Sequence, residues 1–294
     1  MHNFALWVVT KDNHNKDMTD NKREQITVVK VGGAVVEDPE QLAMLLENFS
    51  AIKGKKVLVH GGGRRATKVA SQLGIESHMV GGRRITDAEM LSVVTMVYGG
   101  LVNKNLVARL QAKGVNALGL TGADMDVIRS HKRPLKSVKM DDGTTQMVDF
   151  GYVGDVDYAD GARFAALLDS GITPVVAPLT HDGEGNMLNT NADTMASTVA
   201  KALAERYDVT LIFSFEKKGV LSNPDDDDSV IPVITRASYN KYVSDGTISG
   251  GMMPKIENAL EAVESGVKRV IITLAAAISD DTQGTTIQIN ELAN

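Results

Sequence analysis

Lys30 lies two residues ahead of a glycine pair, Gly32-Gly33, at the end of the apolar run Ile26 to Val31. A second apolar run, Val57 to His60, empties into Gly61-Gly62-Gly63. A buried parallel strand that ends in glycines and then enters a helix lets backbone N–H groups and the helix N-terminus approach an anion closely. Two such loops near the start of one chain, the first with a lysine beside it, suit a phosphate group. The chemistry this combination supports is phosphoryl transfer. Taken alone, each glycine run also fits a tight strand–helix turn with no ligand.

Three further groups of residues bear on that chemistry. Asn189-Thr190-Asn191-Ala192-Asp193 precedes an amphipathic helix marked by Met195, Ala196, Val199, Ala200 and Leu203. Asn191 or Asp193 can simply cap that helix; alternatively, the carboxamides grip a polar substrate while the aspartate orients cations. Gly250-Gly251-Met252-Met253-Pro254-Lys255 opens another helix, with Ile256, Ala259, Leu260 and Val263 on its buried face and Gly266 at its end. A lysine in a first helical turn opposes the helix dipole unless an anion sits there. Arg84, in the stretch Gly81 to Asp87, has the geometry to clamp a carboxylate bidentately, or is an ordinary surface arginine.

Competing chemistries fail their own tests. His60 to Ala66 satisfies the loose dinucleotide pattern G-x-G-x-x-A, but no second strand ending in an acid follows at the right distance. The P-loop pattern G-x-x-x-x-G-K-[ST] is absent. Zero cysteines exclude disulfides, thiolate metal sites and a cysteine nucleophile, and the six histidines show no paired metal-ligand spacing, so no metal site is expected.

The elements that must position these residues alternate between strand-like and helix-like. Asp38-Pro39 reads as an N-cap followed by a first-turn proline, with Leu42, Leu45, Leu46 and Phe49 at helical spacing and Gly54 as the stop. Thr86 to Glu89 has capping-box spacing before a long apolar-periodic helix, with a break expected at Gly99-Gly100 and an end at Gly114. Val115 to Leu120, Thr173 to Ala177, Val209 to Phe213 and Arg269 to Thr273 read as buried strands, and Lys136 to Val156 as β-hairpins. Repeated strand–helix units predict an α/β fold: a three-layer αβα sandwich around a mainly parallel open sheet. The acidic run Asp225 to Asp228 reads as a solvated loop.

With 294 residues, 43% of them apolar and 23% charged, the chain has ample core and an ordinary globular composition. A net charge of −6 argues against nucleic-acid partners. No apolar run reaches membrane-spanning length, and the apolar patch near the start (Phe4, Leu6, Trp7, Val8, Val9) makes a poor signal peptide, so a cytoplasmic location is expected. Residues 1–25 read as a mobile N-terminal arm, polar from Thr10 to Gln25, with Met18 as an alternative start.

The ordered set of motifs resembles the amino acid kinase family from about Ile26 to Ile287. The stretches that carry the resemblance are Lys30-Val-Gly-Gly, His60-Gly-Gly-Gly, Arg84-Ile-Thr-Asp, Val102-Asn103-Lys104, Asp149 to Asp155, Asn189 to Asp193, Gly250 to Lys255 and Gly284 to Ile287. It is most similar to the members that phosphorylate the γ-carboxylate of N-acetyl-L-glutamate in arginine biosynthesis. The resemblance implies that Lys30 and Lys255 sit on the transferring phosphoryl group and that Asp193 holds both lysines. It implies that Gly32, Gly33, Glu216, Gly219 and Ser249 contact ATP, which carries Mg2+. Gly62, Gly63, Arg84 and Asn189 would bind the N-acyl-L-glutamate. An N-terminal lobe of residues 26–187 would hold this substrate and a dimer surface, and residues 188–294 would hold the nucleotide.

Three departures from the family pattern stand out. Arg64 replaces the usual proline after the glycine triplet, and Phe215-Glu216 stands where Thr-Asp is usual. Arg83 adds a cation beside Arg84, which suits either solvent or an acyl group with its own carboxylate, such as succinyl. A sister kinase acting on aspartate, glutamate, carbamate or a nucleotide is the near alternative, and a non-catalytic arginine or nucleotide sensor on the same fold the more distant one; retention of Lys30, Asp193 and Lys255 argues against the sensor. Arginine-inhibited relatives use an N-terminal helix to link dimers into hexamers, and the short apolar patch here predicts a homodimer without strong feedback control.

Overall fold

The computed structural model describes residues 23–140, 143–280 and 282–289. The N-terminal-arm reading therefore lies outside the described residues up to 22. Residues 23–25 belong instead to the folded body, since Arg23 donates to the Ala204 carbonyl, Glu24 pairs with Lys55 and Gln25 opens the first strand.

Eight strands form one sheet: β1 (Gln25–Val31), β2 (Lys55–His60), β3 (Ala117–Leu120), β4 (Thr173–Val176), β5 (Asp208–Phe215), β6 (Val233–Ile234), β7 (Arg269–Leu274) and β8 (Thr285–Ile287). Their spatial order is β6-β8-β7-β5-β1-β2-β4-β3. All neighbours are parallel except β7 and β8. The chain leaves β1 toward β2 on one side and later returns to β5 on the other. A ligand crevice is expected outside the carboxyl ends of β1 and β5, where the winding changes direction.

Among the described residues nine α-helices cover the two faces. On one side lie α1 (Gly33–Glu37), α2 (Pro39–Ala51), α3 (Gly63–Gln72), α4 (Ala88–Val94) and α5 (Asn103–Gln111). On the other lie α6 (Gly161–Asp169), α7 (Ala192–Ala204), α8 (Arg236–Ser244) and α9 (Met253–Glu264). Strand alternation sorts each side chain to its layer. Ile26 and Val28 join the core under α6 to α9, whereas Val29 and Val31 join the core under α1 to α5. The same alternation sends Lys30 toward α7. The predicted three-layer αβα sandwich is thus present.

Two local expectations change. Asp87 rather than Thr86 caps α4, accepting from the Met90 N–H, because Thr86 is buried and its hydroxyl is engaged by Asn189. No break occurs at Gly99-Gly100: the helix continues from Ala88 to Gln111, with Thr95–Val102 in the wider π geometry. By length and composition that helix is apolar enough to cross a membrane, which the sequence reading missed. Met90, Val93, Val94, Leu106 and Leu110 are buried against the sheet, so its apolar stripe is core. The expected hairpin is observed in Lys136–Lys139 against Thr145–Val148.

Candidate functional site

Parallel pairing in register sets Val31 of β1 beside His60 of β2, so the two glycine runs leave neighbouring strand ends. They are in contact there: the Gly61 N–H donates to the Val31 carbonyl at 2.9 Å. A Cβ on Gly61 would come within 3.3 Å of the Gly33 nitrogen. At Gly62, a Cβ would meet the Tyr98 ring at 2.9 Å, so glycine is required by close approach. His60 itself is fully buried. Its Nδ1 donates to the Gly61 carbonyl at 2.8 Å, and its Nε2 accepts from Asn103 Nδ2 at 3.1 Å. Burial pushes its pKa down to about 4, so the ring is neutral and anchors the second glycine loop.

Lys30 Nζ reaches Asp193 Oδ1 at 2.7 Å, in a pair that is mostly buried. Asp193 stands in the first turn of α7, whose N-cap is Asn191, accepting from the N–H groups of Asp193 and Thr194. Lys255, in the first turn of α9, faces the same region from the other side of β5. Its ammonium lies 3.6 Å from the centroid of the Phe215 ring. Burial holds the Lys255 pKa below the ordinary lysine range. Asp193 opposes this shift, Lys30 adds to it and Glu216 opposes it. Two cations and one carboxylate thus converge where β1 and β5 end.

Two clefts meet at Lys30. The first holds about 830 Å3 of open space and is lined by Gly62, Gly63, Arg83, Arg84, Tyr98, Arg133 and Asn189. Arg84 is oriented by its neighbours, donating to the Gly63 carbonyl at 3.0 Å, Thr67 Oγ1 at 2.8 Å and Ser77 Oγ at 2.9 Å. Asn189 donates to Thr86 Oγ1 at 2.9 Å, and its backbone N–H donates to the Tyr152 carbonyl. The second cleft, about 860 Å3, is lined by Gly32, Gly33, Arg64, Ser214, Phe215, Glu216 and Lys255. Lys30, Gly33 and Gly63 line both. One group bound in each cleft would therefore meet at Lys30.

Of the residues expected from the sequence, Lys30, Asp193, Lys255, Gly32, Gly33, Gly62, Gly63, Arg84, Asn189 and Glu216 gather around these clefts. Gly219 and Ser249 line neither. Gly219 is buried against Thr285, where a Cβ would come within 2.7 Å of the hydroxyl, so glycine there serves close packing. Glu216 pairs with Arg64 across the second cleft at 3.5 Å, so two of the departures from the family pattern are partners. Arg133 was missed: its guanidinium is mostly buried, forks onto Asp155 with a shortest distance of 2.6 Å and stacks over Phe150. Nothing in its local sequence marked it, because long-range pairing of the strands flanking residues 132 and 154 brings it there. Ser214 and Phe215 were missed for the same reason, and Tyr98 because it lies among the buried apolar residues of the long helix.

A sheet with a winding reversal at β1, two abutting glycine loops and paired lysines defines a phosphoryl-transfer fold. The chain belongs to the amino acid kinase family, whose match spans residues 25–274, and it is a kinase, which implies ATP as phosphoryl donor. It is 64% identical over 266 residues to the acetylglutamate kinase of Bacteroides thetaiotaomicron, covering 90% of this chain and 99% of that one. The acetylglutamate kinase of Phocaeicola vulgatus is 61% identical, with 90% and 99% covered. A crystal structure from Streptococcus mutans is 30% identical with a TM-score of 0.69, covering 90% of this chain and 99% of that one.

Proposed function

We propose that the chain transfers the γ-phosphoryl group of ATP to the γ-carboxylate of N-acetyl-L-glutamate, forming N-acetyl-L-glutamyl 5-phosphate in arginine biosynthesis. The observation that carries this reading is the meeting of the two clefts at Lys30, with Asp193 and Lys255 beside it. The cleft between the second glycine loop and Asn189 takes the acylglutamate. Arg84, preset by Gly63, Thr67 and Ser77, receives its α-carboxylate, and Asn189 and the Gly62-Gly63 backbone hold the acylamino portion. The cleft at Gly32-Gly33 takes the nucleotide phosphates, with Ser214 and Glu216 in its lining.

The attacking carboxylate is already ionised at neutral pH, so no general base is needed. Lys30 and Lys255 neutralise charge that spreads over the phosphoryl oxygens in a loose transition state, and Asp193 keeps Lys30 on the line of transfer. In this reading Mg2+ arrives with the nucleotide. That ion would supply charge neutralisation on the bridging phosphates. Residues 26–187 act in this reading as the substrate lobe, since they supply β1 to β4 and most of the first cleft; residues 188–294 act as the nucleotide lobe. A cytoplasmic homodimer with no nucleic-acid or membrane partner completes the proposal, and exposed Met96 and Leu101 on the long helix offer an apolar face for the second copy.

The named relatives favour an acetyl over a succinyl substrate. Hydroxylamine trapping tests the reading: purified protein with Mg-ATP and N-acetyl-L-glutamate should form hydroxamate, and the Lys255→Ala variant should not. No product from N-acetyl- or N-succinyl-L-glutamate, with ATP still bound, would overturn it.

A further inference from the structure

Lys30 has Asp193, and Glu216 has Arg64, yet among the described residues Lys255 has no carboxylate within ion-pair reach. Its ammonium rests instead on the Phe215 ring, 3.6 Å from the centroid, well inside the distance at which cation–π attraction acts. The placement follows from two periodicities. Lys30 is the register partner of Phe213 on β5, so Phe215, two residues on, points to the same face of the sheet. The first turn of α9 then brings Lys255 across it, over an apolar floor of Phe213 and Ile272. Every charged group facing the lysine comes from another element: Lys30 from β1, Asp193 from α7, and Glu216, with Arg64 behind it, at the end of β5.

We propose that Phe215 is a positioning residue that seats the Lys255 ammonium at the junction of the two clefts, keeps it off Asp193 and Glu216, and releases it to the transferring phosphoryl group. A carboxylate partner would bind the ammonium through directed, charge-assisted hydrogen bonds that must break before it meets phosphate. A ring face attracts the charge without such bonds, so the lysine can move toward stronger negative charge with little reorganisation. The role rests on the phosphoryl-transfer reading above.

Phe215→Leu keeps apolar bulk and removes the ring face. The expected result is a fall in kcat of roughly three- to tenfold, from the loss of one cation–π contact. The KM for N-acetyl-L-glutamate stays unchanged, because Phe215 does not line that cleft. The ring favours the charged lysine, so the alkaline limb of kcat moves to lower pH in the leucine variant, and Phe215→Tyr restores both rate and limb. The unliganded wild type supplies a readout independent of variant folding. The ε-methylene protons of Lys255, assigned by comparison with Lys255→Arg, should be shifted upfield by the ring current and return downfield when a non-hydrolysable ATP analogue and Mg2+ are added. An unshifted resonance, a leucine variant with wild-type kcat and limb, or a tyrosine variant that rescues neither would overturn the proposal. Failure of the kinase reading itself would look different: no hydroxamate from any variant, with the shifted resonance still present.

Discussion

The Lys30 ammonium and the Asp193 carboxylate lie 2.7 Å apart, joining the end of the first strand to the first turn of α7. The two come from distant parts of the sequence, and the pair sits where both clefts meet. Asp193 therefore fixes the position of Lys30 rather than merely balancing its charge. Asp193→Asn keeps the shape and the possibility of one hydrogen bond but loses the charge that holds the lysine. Steady-state kinetics should show kcat lower by about 100-fold, the scale for losing one preorganised charge contact to a transition state. The KM for N-acetyl-L-glutamate should change little. A variant with near-normal kcat would remove Asp193 from the mechanism.

Arg84 is held at the wall of the first cleft by hydrogen bonds that include those to the Gly63 carbonyl, Thr67 and Ser77. Lysine cannot reproduce that fork. Arg84→Lys should raise the KM for N-acetyl-L-glutamate roughly 10- to 100-fold, as expected from losing a bidentate carboxylate contact. The KM for ATP should stay near the wild-type value, because Arg84 does not line the nucleotide cleft. A parallel rise in both constants would instead mean that the substitution disturbs the glycine loop.

The layers of the fold were legible because hydrophobic period and glycine punctuation act locally: strand alternation sends Lys30 to one face and Val29 and Val31 to the other. Lys30, Arg84, Asp193 and Lys255 could be singled out because each stands beside a glycine run or in a first helical turn, and the structure brings all four to the walls of the two clefts. Arg133 and Phe215 could not be, since an arginine just past a polar strand and a phenylalanine ending an apolar one look like ordinary residues. Only the pairing of distant strands places one in the first cleft and the other under Lys255. Gly219 differs from these: a motif match alone suggested ligand contact there, and what the structure adds is close packing against Thr285, which explains the glycine without bearing on the ligand.

Arg64 and Glu216 face each other across the second cleft, the one proposed for the nucleotide, and both side chains are more than half exposed. Solvent screens such a pair, so Arg64→Ala should leave the midpoint of thermal unfolding almost unchanged. Its effect should appear in nucleotide binding. The KM for ATP is expected to rise about threefold at low salt, and the difference should shrink as ionic strength shortens the Debye length to a few ångströms. A salt-independent change would point to altered loop structure instead of electrostatics.

His60 makes stability depend on acid. Buried in the folded chain, it has a pKa of about 4, against 6.5 for an ordinary histidine. Between those values the unfolded chain binds more protons than the folded one, so stability rises with pH through that window. The contribution is complete above about pH 6.5 and is lost as pH falls toward 4. The full span corresponds to about 3 kcal/mol from this single group. The hydrogen bonds give the physical reason: Nε2 accepts from Asn103, and a proton there would turn two N–H groups toward each other in a dry pocket. His60→Gln should be less stable than wild type at pH 7, because it cannot reproduce both contacts. Its stability should fall less steeply toward pH 4.5, so the two curves converge. Urea unfolding at several pH values checks this, and curves that run parallel would mean that His60 does not carry the acid sensitivity.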